Sequence, residues 1–269
     1  MRTWCVGRGD NYRFIPKAVL PSPSGRSIPR GVSPTKMMDV NQRIDRLENW
    51  LSRIGDTLDR PVLDGQKFVY REVTPKHVAY LKAVRAVSSL HALPLLYEHG
   101  LVIDGGTIVR CINEALSEIF FVLESYPETT NKVDTFIAHF LAEKEAQPVA
   151  SRKIHSAEAR FFEHRLNFND AIKRIREIYE TYSGYVHGRY PHIMQIYGGP
   201  SDARKFRTSG VLSATKTQSY AQLTDVTIAS TELAVAFMAV KLDMNELLVE
   251  DMNELLVEIE QSLHEIEIG

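Results

Sequence analysis

Apolar residues recur three and four positions apart through most of the chain, and proline and glycine separate the segments that carry this spacing. Over 39–58, Val40, Ile44, Leu47, Leu51 and Ile54 form a stripe with Trp50 beside it and charges opposite, which predicts an amphipathic helix. The stretch 59–74, with Pro61, Gly65 and a short run of Phe68, Val69 and Tyr70, reads as a connector. Thr74 followed by Pro75 is an N-cap with proline in the first helical position. Val78, Leu81, Val84, Ala86, Val87, Leu90 and Leu93 continue that helix toward Gly100, with Pro94 predicting a kink or break near Leu90.

Asp104 is expected to cap the next helix, which points Ile108, Cys111, Ile112, Ala115, Ile119 and Leu123 inward and carries Arg110, Glu114 and Ser117 on its opposite face. A helix over 129–144 turns Val133, Phe136, Ile137 and Phe140 inward. A long charged helix is predicted over 156–187, striped by Phe168, Ile172, Ile175, Tyr179, Tyr182 and Val186 and ended by Gly188. His155 and His164 lack metal-ligand spacing and read as surface residues of this charged region. A short helix over 191–196 is closed by Gly198, Gly199 and Pro200.

Residues 211–268 contain neither glycine nor proline. As one helix they would run for about 85 Å, several times the radius of a compact domain of this size. A break is therefore expected near 215–219 or 224–231, where Ser and Thr compete for backbone hydrogen bonds. Strand signals are almost absent. The predicted fold class is all-α, a helical bundle with a long C-terminal helix.

Composition sharpens this picture through charge. The chain has 269 residues, 44% hydrophobic and 25% charged, and a net charge of -2. That total conceals a net of +6 over 1–37 and -8 over 241–269, with a neutral body between them. A neutral body argues against a dedicated nucleic-acid surface. The expected organisation is a disordered basic arm (1–37), a helix and connector (38–73), a helical core (74–240) and an acidic helical extension (241–269). The arm is proline-rich and resembles a transit peptide in its charge, while Met37 or Met38 offers a competing start. No signal-peptide core is present, the expected compartment is the cytoplasm, and no membrane association is expected. Cys5 and Cys111 are the only cysteines, which excludes a disulfide framework and a multi-cysteine zinc module.

The sequence DMNELLVE at 243–250 recurs letter for letter at 251–258. Phe237, Val240, Met244, Leu248, Met252, Leu255, Ile259, Leu263 and Ile266 still step by three or four across the repeat. One reading is a self-association helix; the other is a slip that lengthened a permissive helix end. The nine acids oppose close parallel self-pairing, which favours an antiparallel partner or the basic arm.

The densest chemistry lies at 182–192. Ser183 and His187 share a helix face, and Arg189 and His192 can join His187 after the turn at Gly188, with Tyr182 alongside. Such a cationic cluster suits a phosphate or carboxylate, and the Arg110, Glu114 and Ser117 face is expected to complete it. No phosphate loop, dinucleotide fingerprint, nucleophile elbow, HExxH pair or paired-cysteine motif is present, and neither a cofactor nor a metal is predicted.

The segment GTIVRCINE at 106–114, the helix end YSGYVH at 182–187 and the helix count resemble the HEPN-like superfamily of bacterial helical domains, over roughly 78–194. The resemblance implies a helix hairpin bearing a polar charged residue, a late histidine and, in nuclease members, RNA cleavage. Those nucleases pair an arginine with a histidine four to six intervening residues later; here Tyr182 stands five before His187. Arg85 with His91 and Arg71 with His77 have such spacing, but chance supplies about two matches in a chain of this composition. Two expectations follow. One is RNA or nucleotide binding through His187, Arg189 and His192, with weak, metal-independent ribonuclease-like chemistry in which His187 moves protons and Arg110, Glu114 and Ser183 take part. The other is a non-enzymatic scaffold working through its long C-terminal helix.

Overall fold

The computed structural model describes residues 4–6, 13–15, 39–142, 149–163, 167–198 and 205–244. It is an all-α bundle of α1 (Val40–Gly55), α2 (Pro75–Leu90), α3 (Ala92–Glu98), α4 (Val102–Leu123), α5 (Asn131–Leu141), α6 (Ser151–Phe162), α7 (Phe168–Val186), α8 (Tyr190–Ile193) and α9 (Ala214–Lys241). Three short antiparallel ladders accompany the helices: β1 (Trp4–Val6) with β2 (Arg13–Ile15), β3 (Val62–Asp64) with β4 (Lys67–Val69), and β5 (Tyr197–Gly198) with β6 (Lys205–Phe206). The first falls in the segment read as a structureless arm, where each strand carries aromatic and β-branched residues. The rest of that arm lies outside the described residues.

The main core joins α1, α2, α4 and α9, and its fully enclosed side chains include Leu47, Trp50, Leu90, Ile112, Ile119, Ile228 and Met238. Trp50, placed beside the α1 stripe by the sequence pattern, is inside it. Thr74 starts α2 through a capping box in which its backbone N–H donates to His77 Nδ1 at 3.3 Å. As expected from Pro94, the helix stops at Leu90 and resumes as α3.

Three expectations are corrected. First, α4 begins at Val102 rather than after Asp104, which instead places its negative charge in the first turn, where the helix dipole favours it. This helix is also buried on nearly every side: Arg110 and Ser117, expected on an outer face, are covered by α6 and α7. Second, 156–187 is not one helix. The side-chain carbonyl of Asn167 accepts the Asp170 N–H at 2.9 Å and starts α7 separately from α6. His155 is then interior, only 7% exposed, and His164 lies outside the described residues.

Third, α9 runs unbroken through 224–231. The hydroxyls of Thr224, Thr227, Ser230 and Thr231 each donate to the carbonyl four residues back, so they satisfy themselves without unwinding the helix. The break comes at Leu242 and Asp243, within the stripe projected from Phe237 to Ile266. Met244 N–H donates to Ala239 O at 2.8 Å and Asp243 N–H to Val240 O at 3.2 Å, a Schellman end with Asp243 left-handed at φ 55°. Glycine adopts that conformation without a Cβ penalty. Asp243→Gly is expected to raise stability by about 0.5–1 kcal/mol and Asp243→Val to lower it, read from urea-denaturation midpoints. The remainder of the duplication, and the self-association placed on it, lie outside the described residues. By length and composition α9 is apolar enough to cross a membrane. It is packed against α1, α2, α3 and α4.

Candidate functional site

The end of α7 is built by a second Schellman turn. Gly188, at φ +55°, turns the chain, while Arg189 N–H donates to Gly184 O at 2.9 Å and Gly188 N–H to Tyr185 O at 3.2 Å. His187 closes the helix with its N–H on Ser183 O at 3.1 Å; its side chain is exposed, whereas Ser183 is buried. Arg189 is exposed and begins α8.

His192 and Tyr182 turn the other way. A Cβ on Gly184 would overlap the His192 ring, which also meets Tyr185 edge-on at 4.3 Å, and His192 Nδ1 is enclosed with no partner among the described residues. Tyr182 stacks on Tyr185, and burial, reinforced by Tyr185, pushes its hydroxyl upward in pKa. Tyr185 in turn seats on Gly106 of α4 and donates to Gln195 Oε1 at 3.1 Å. The predicted cationic group therefore divides: His187 and Arg189 face water, while His192 and Tyr182 brace the turn from inside.

Arg110 and Glu114 belong elsewhere. Because Gly106 meets Tyr185 and Arg110 meets Tyr179, α4 and α7 run antiparallel, and Arg110 lies two turns of α7, about 12 Å, below His187. Its guanidinium stacks 3.4 Å from the Tyr179 ring centre and pairs with Glu114 at 2.6 Å. Among the described residues no hydrogen bond or ion pair joins Arg110 or Glu114 to Ser183 or His187.

The structure surrounds Arg110 with residues the sequence did not single out together. His155 meets the Tyr179 ring at 4.8 Å in a tilted, edge-type contact, and burial, then Arg110 and Arg176, lower its pKa and keep it neutral. Three residues on, burial pushes the Glu158 carboxyl up to about 7, with the Ser117 hydrogen bond opposing. Ser117 Oγ lies 2.6 Å from Glu158 Oε2 and 2.9 Å from Asn113 O. One hydroxyl proton cannot serve both acceptors. When Ser117 donates to the carbonyl, the shorter contact needs a proton on Glu158, in agreement with its raised pKa.

On the outside, the chain from Val186 onward forms a lip of exposed rings and cations. Tyr190 is 76% exposed, and Val186, Ile193, Tyr197 and Phe206 are also open to solvent. Tyr197 and Phe206 meet edge-on at 5.2 Å across the β5–β6 ladder, which Arg207 N–H ties to Ile196 O at 2.9 Å. Over 186–207 the sequence holds four Arg or Lys against one Asp, a local net of +3 inside a neutral body. That local excess is the signal available in the sequence, hidden by averaging over the core. Among the described residues no group of three His, Cys, Asp or Glu is arranged to hold a metal. Comparison with protein-family models, curated proteins and solved structures finds no match to this chain.

Proposed function

We propose that the protein binds single-stranded RNA along the lip formed by the end of α7, α8 and the β5–β6 ladder. The observation that carries this reading is the combination, within 186–207, of exposed aromatic rings with the exposed cations Arg189 and Lys205. Single strands are held by this pairing, bases stacking on rings while cations neutralise phosphates. His187 adds an exposed imidazole at the head of the lip. The HEPN-like resemblance supports the same class of ligand, and its two segments, 106–114 and 182–187, are packed against each other through Gly106 and Tyr185.

The proposal is for binding. The arginine and carboxylate expected to flank His187 in a cleaving centre are engaged with each other and with Tyr179 two helical turns away. Tyr190→Ala tests the stacking component, because so exposed a ring contributes little to the fold. Fluorescence anisotropy with a short labelled single-stranded RNA is expected to show binding weakened by about 5- to 150-fold, the equivalent of about 1–3 kcal/mol for one lost stacked base. Unchanged affinity would remove Tyr190 from the interface and leave the lip without its most exposed ring.

A further inference from the structure

The cluster where α4, α6 and α7 meet has a geometry of its own, independent of the RNA reading. Arg110 and Ser117 come from one face of α4, His155 and Glu158 from one face of α6, and Tyr179 from α7. We propose that it is a binding site for a single oxyanion, a carboxylate or phosphate group of a small molecule, and that Glu114 is an internal occupant displaced when the ligand enters.

Four observations support this. Arg110 is only 7% exposed, and its flat face is already committed to Tyr179 at 3.4 Å, so its remaining interactions must use the N–H edge. Along that edge its ion-pair partner among the described residues is Glu114, through Nη2 at 2.6 Å. Glu114 is the open member of the pair: its side chain is 48% exposed, against 8% for Arg110. An ion pair kept for stability alone gains little from an acid half in water, whereas a guanidinium with a removable carboxylate presents an oxyanion seat.

His155 supplies the fourth observation. It is nine-tenths buried, and no hydrogen bond to its ring is made by the described residues. It packs on the same Tyr179 ring as Arg110 and feels the Arg110 charge, so its neutral form brings an N–H to the cluster. Ser117 and Glu158 close the far end by bonding each other rather than the ligand, with Glu158 able to hold its proton. The site thus presents the Arg110 guanidinium edge and one neutral donor, the His155 N–H, a set sized for one oxyanion.

The test is an NMR titration of the whole chain with two separate probes, acetate and inorganic phosphate, in wild type, Glu114→Gln, Arg110→Lys and His187→Ala. Expected are saturable shifts at His155 and Tyr179, affinity at least about tenfold tighter in Glu114→Gln, loss of saturation in Arg110→Lys and no change in His187→Ala. Saturation by acetate but not phosphate marks the ligand group as a carboxylate, and the reverse marks a phosphate ester. Should Arg110→Lys fail to fold, Glu114→Gln still decides. Equal affinity in wild type and Glu114→Gln, shifts confined to 187–192, or no saturation by either probe overturns the proposal. Because His187→Ala reports on the lip alone, failure here is distinguishable from failure of RNA binding.

Discussion

Replacing Glu232 with alanine is expected to lower stability by about 3–5 kcal/mol, a large part of the roughly 5–15 kcal/mol that holds an ordinary domain together. Glu232 lies on α9, 2% exposed, and is gripped from α1 by two arginines. Arg43 reaches it through Nε at 3.1 Å and Nη2 at 2.6 Å, and Arg46 through Nη2 at 2.9 Å. Arg46 also lies 5.7 Å from the Trp50 ring centre, so the clamp sits on the main core. Removing the carboxylate leaves two guanidinium groups in an enclosed position. Asp225, 3.7 Å from Arg43, offers only partial relief: burial raises its pKa against the lowering effect of Arg43, so ionising it is itself costly. Glu232→Gln keeps hydrogen-bond acceptance and is expected to lose less. Urea denaturation of both variants measures the difference, and a loss below about 1 kcal/mol in the alanine variant would mean that solvent relaxes the clamp.

The second large effect is a dependence on pH. Glu158 titrates at about 7 in the folded protein against an ordinary 4.5. The folded state therefore holds the proton more tightly than the unfolded chain. Its contribution to stability is greatest below the unfolded value, declines as pH rises from about 4.5 to about 7, and is fully lost above that. At 1.36 kcal/mol per pKa unit the total is about 3 kcal/mol. Glu158→Gln carries a neutral side chain with a permanent N–H donor toward Ser117. It is expected to match wild type near pH 4.5 and to exceed it by up to about 3 kcal/mol around pH 8.

His155 acts in the opposite sense. Its lowered pKa gives stability that is present above its unfolded value of 6.5 and lost as pH falls. Comparing wild type with Glu158→Gln at each pH cancels most of that background, although His155 and Glu158 are neighbours and some coupling is expected. Denaturation midpoints taken at intervals between pH 5 and pH 8 check the prediction. A constant difference across the range would show that Glu158 titrates normally.

Apolar spacing located α1 and α5 because each shows one face to the core; it also found α2, but there Val84 of the expected stripe is exposed while Ala79, Ala83 and Ala86 are enclosed. It misplaced residues on α4 because a helix enclosed on all sides has no solvated face: Arg110 and Ser117 lie opposite the apolar stripe, yet α6 and α7 cover them. The split between α6 and α7 was hidden by charged residues that continue a helical pattern, although Asn167 and Asp170 carried the capping signal. On α9 the Ser and Thr residues were read as a break because their competing hydrogen bonds were assigned to unwinding; in the structure those bonds are made within the helix.

The site divides in the same way. His187 and Arg189 were legible because they adjoin one another at a helix end whose stop signal is local. The grouping of Arg110 with His155 was not, because 44 residues separate them and only the packing of α6 beside α4 brings them together. The basic lip was concealed by averaging, since the charge of the core sums to zero while 186–207 carries +3.

RNA affinity as a function of salt tests the central claim most directly. Anisotropy of a labelled single-stranded RNA, measured across a range of salt concentrations for wild type and for Arg189→Ala with Lys205→Ala, gives both affinity and the number of phosphate contacts. The expected result is binding that weakens with salt, with the double variant weaker at low salt and its log–log slope shallower by about two, near one for each phosphate contact removed. No binding by wild type at low salt, or identical slopes for the two proteins, would contradict the assignment of the lip.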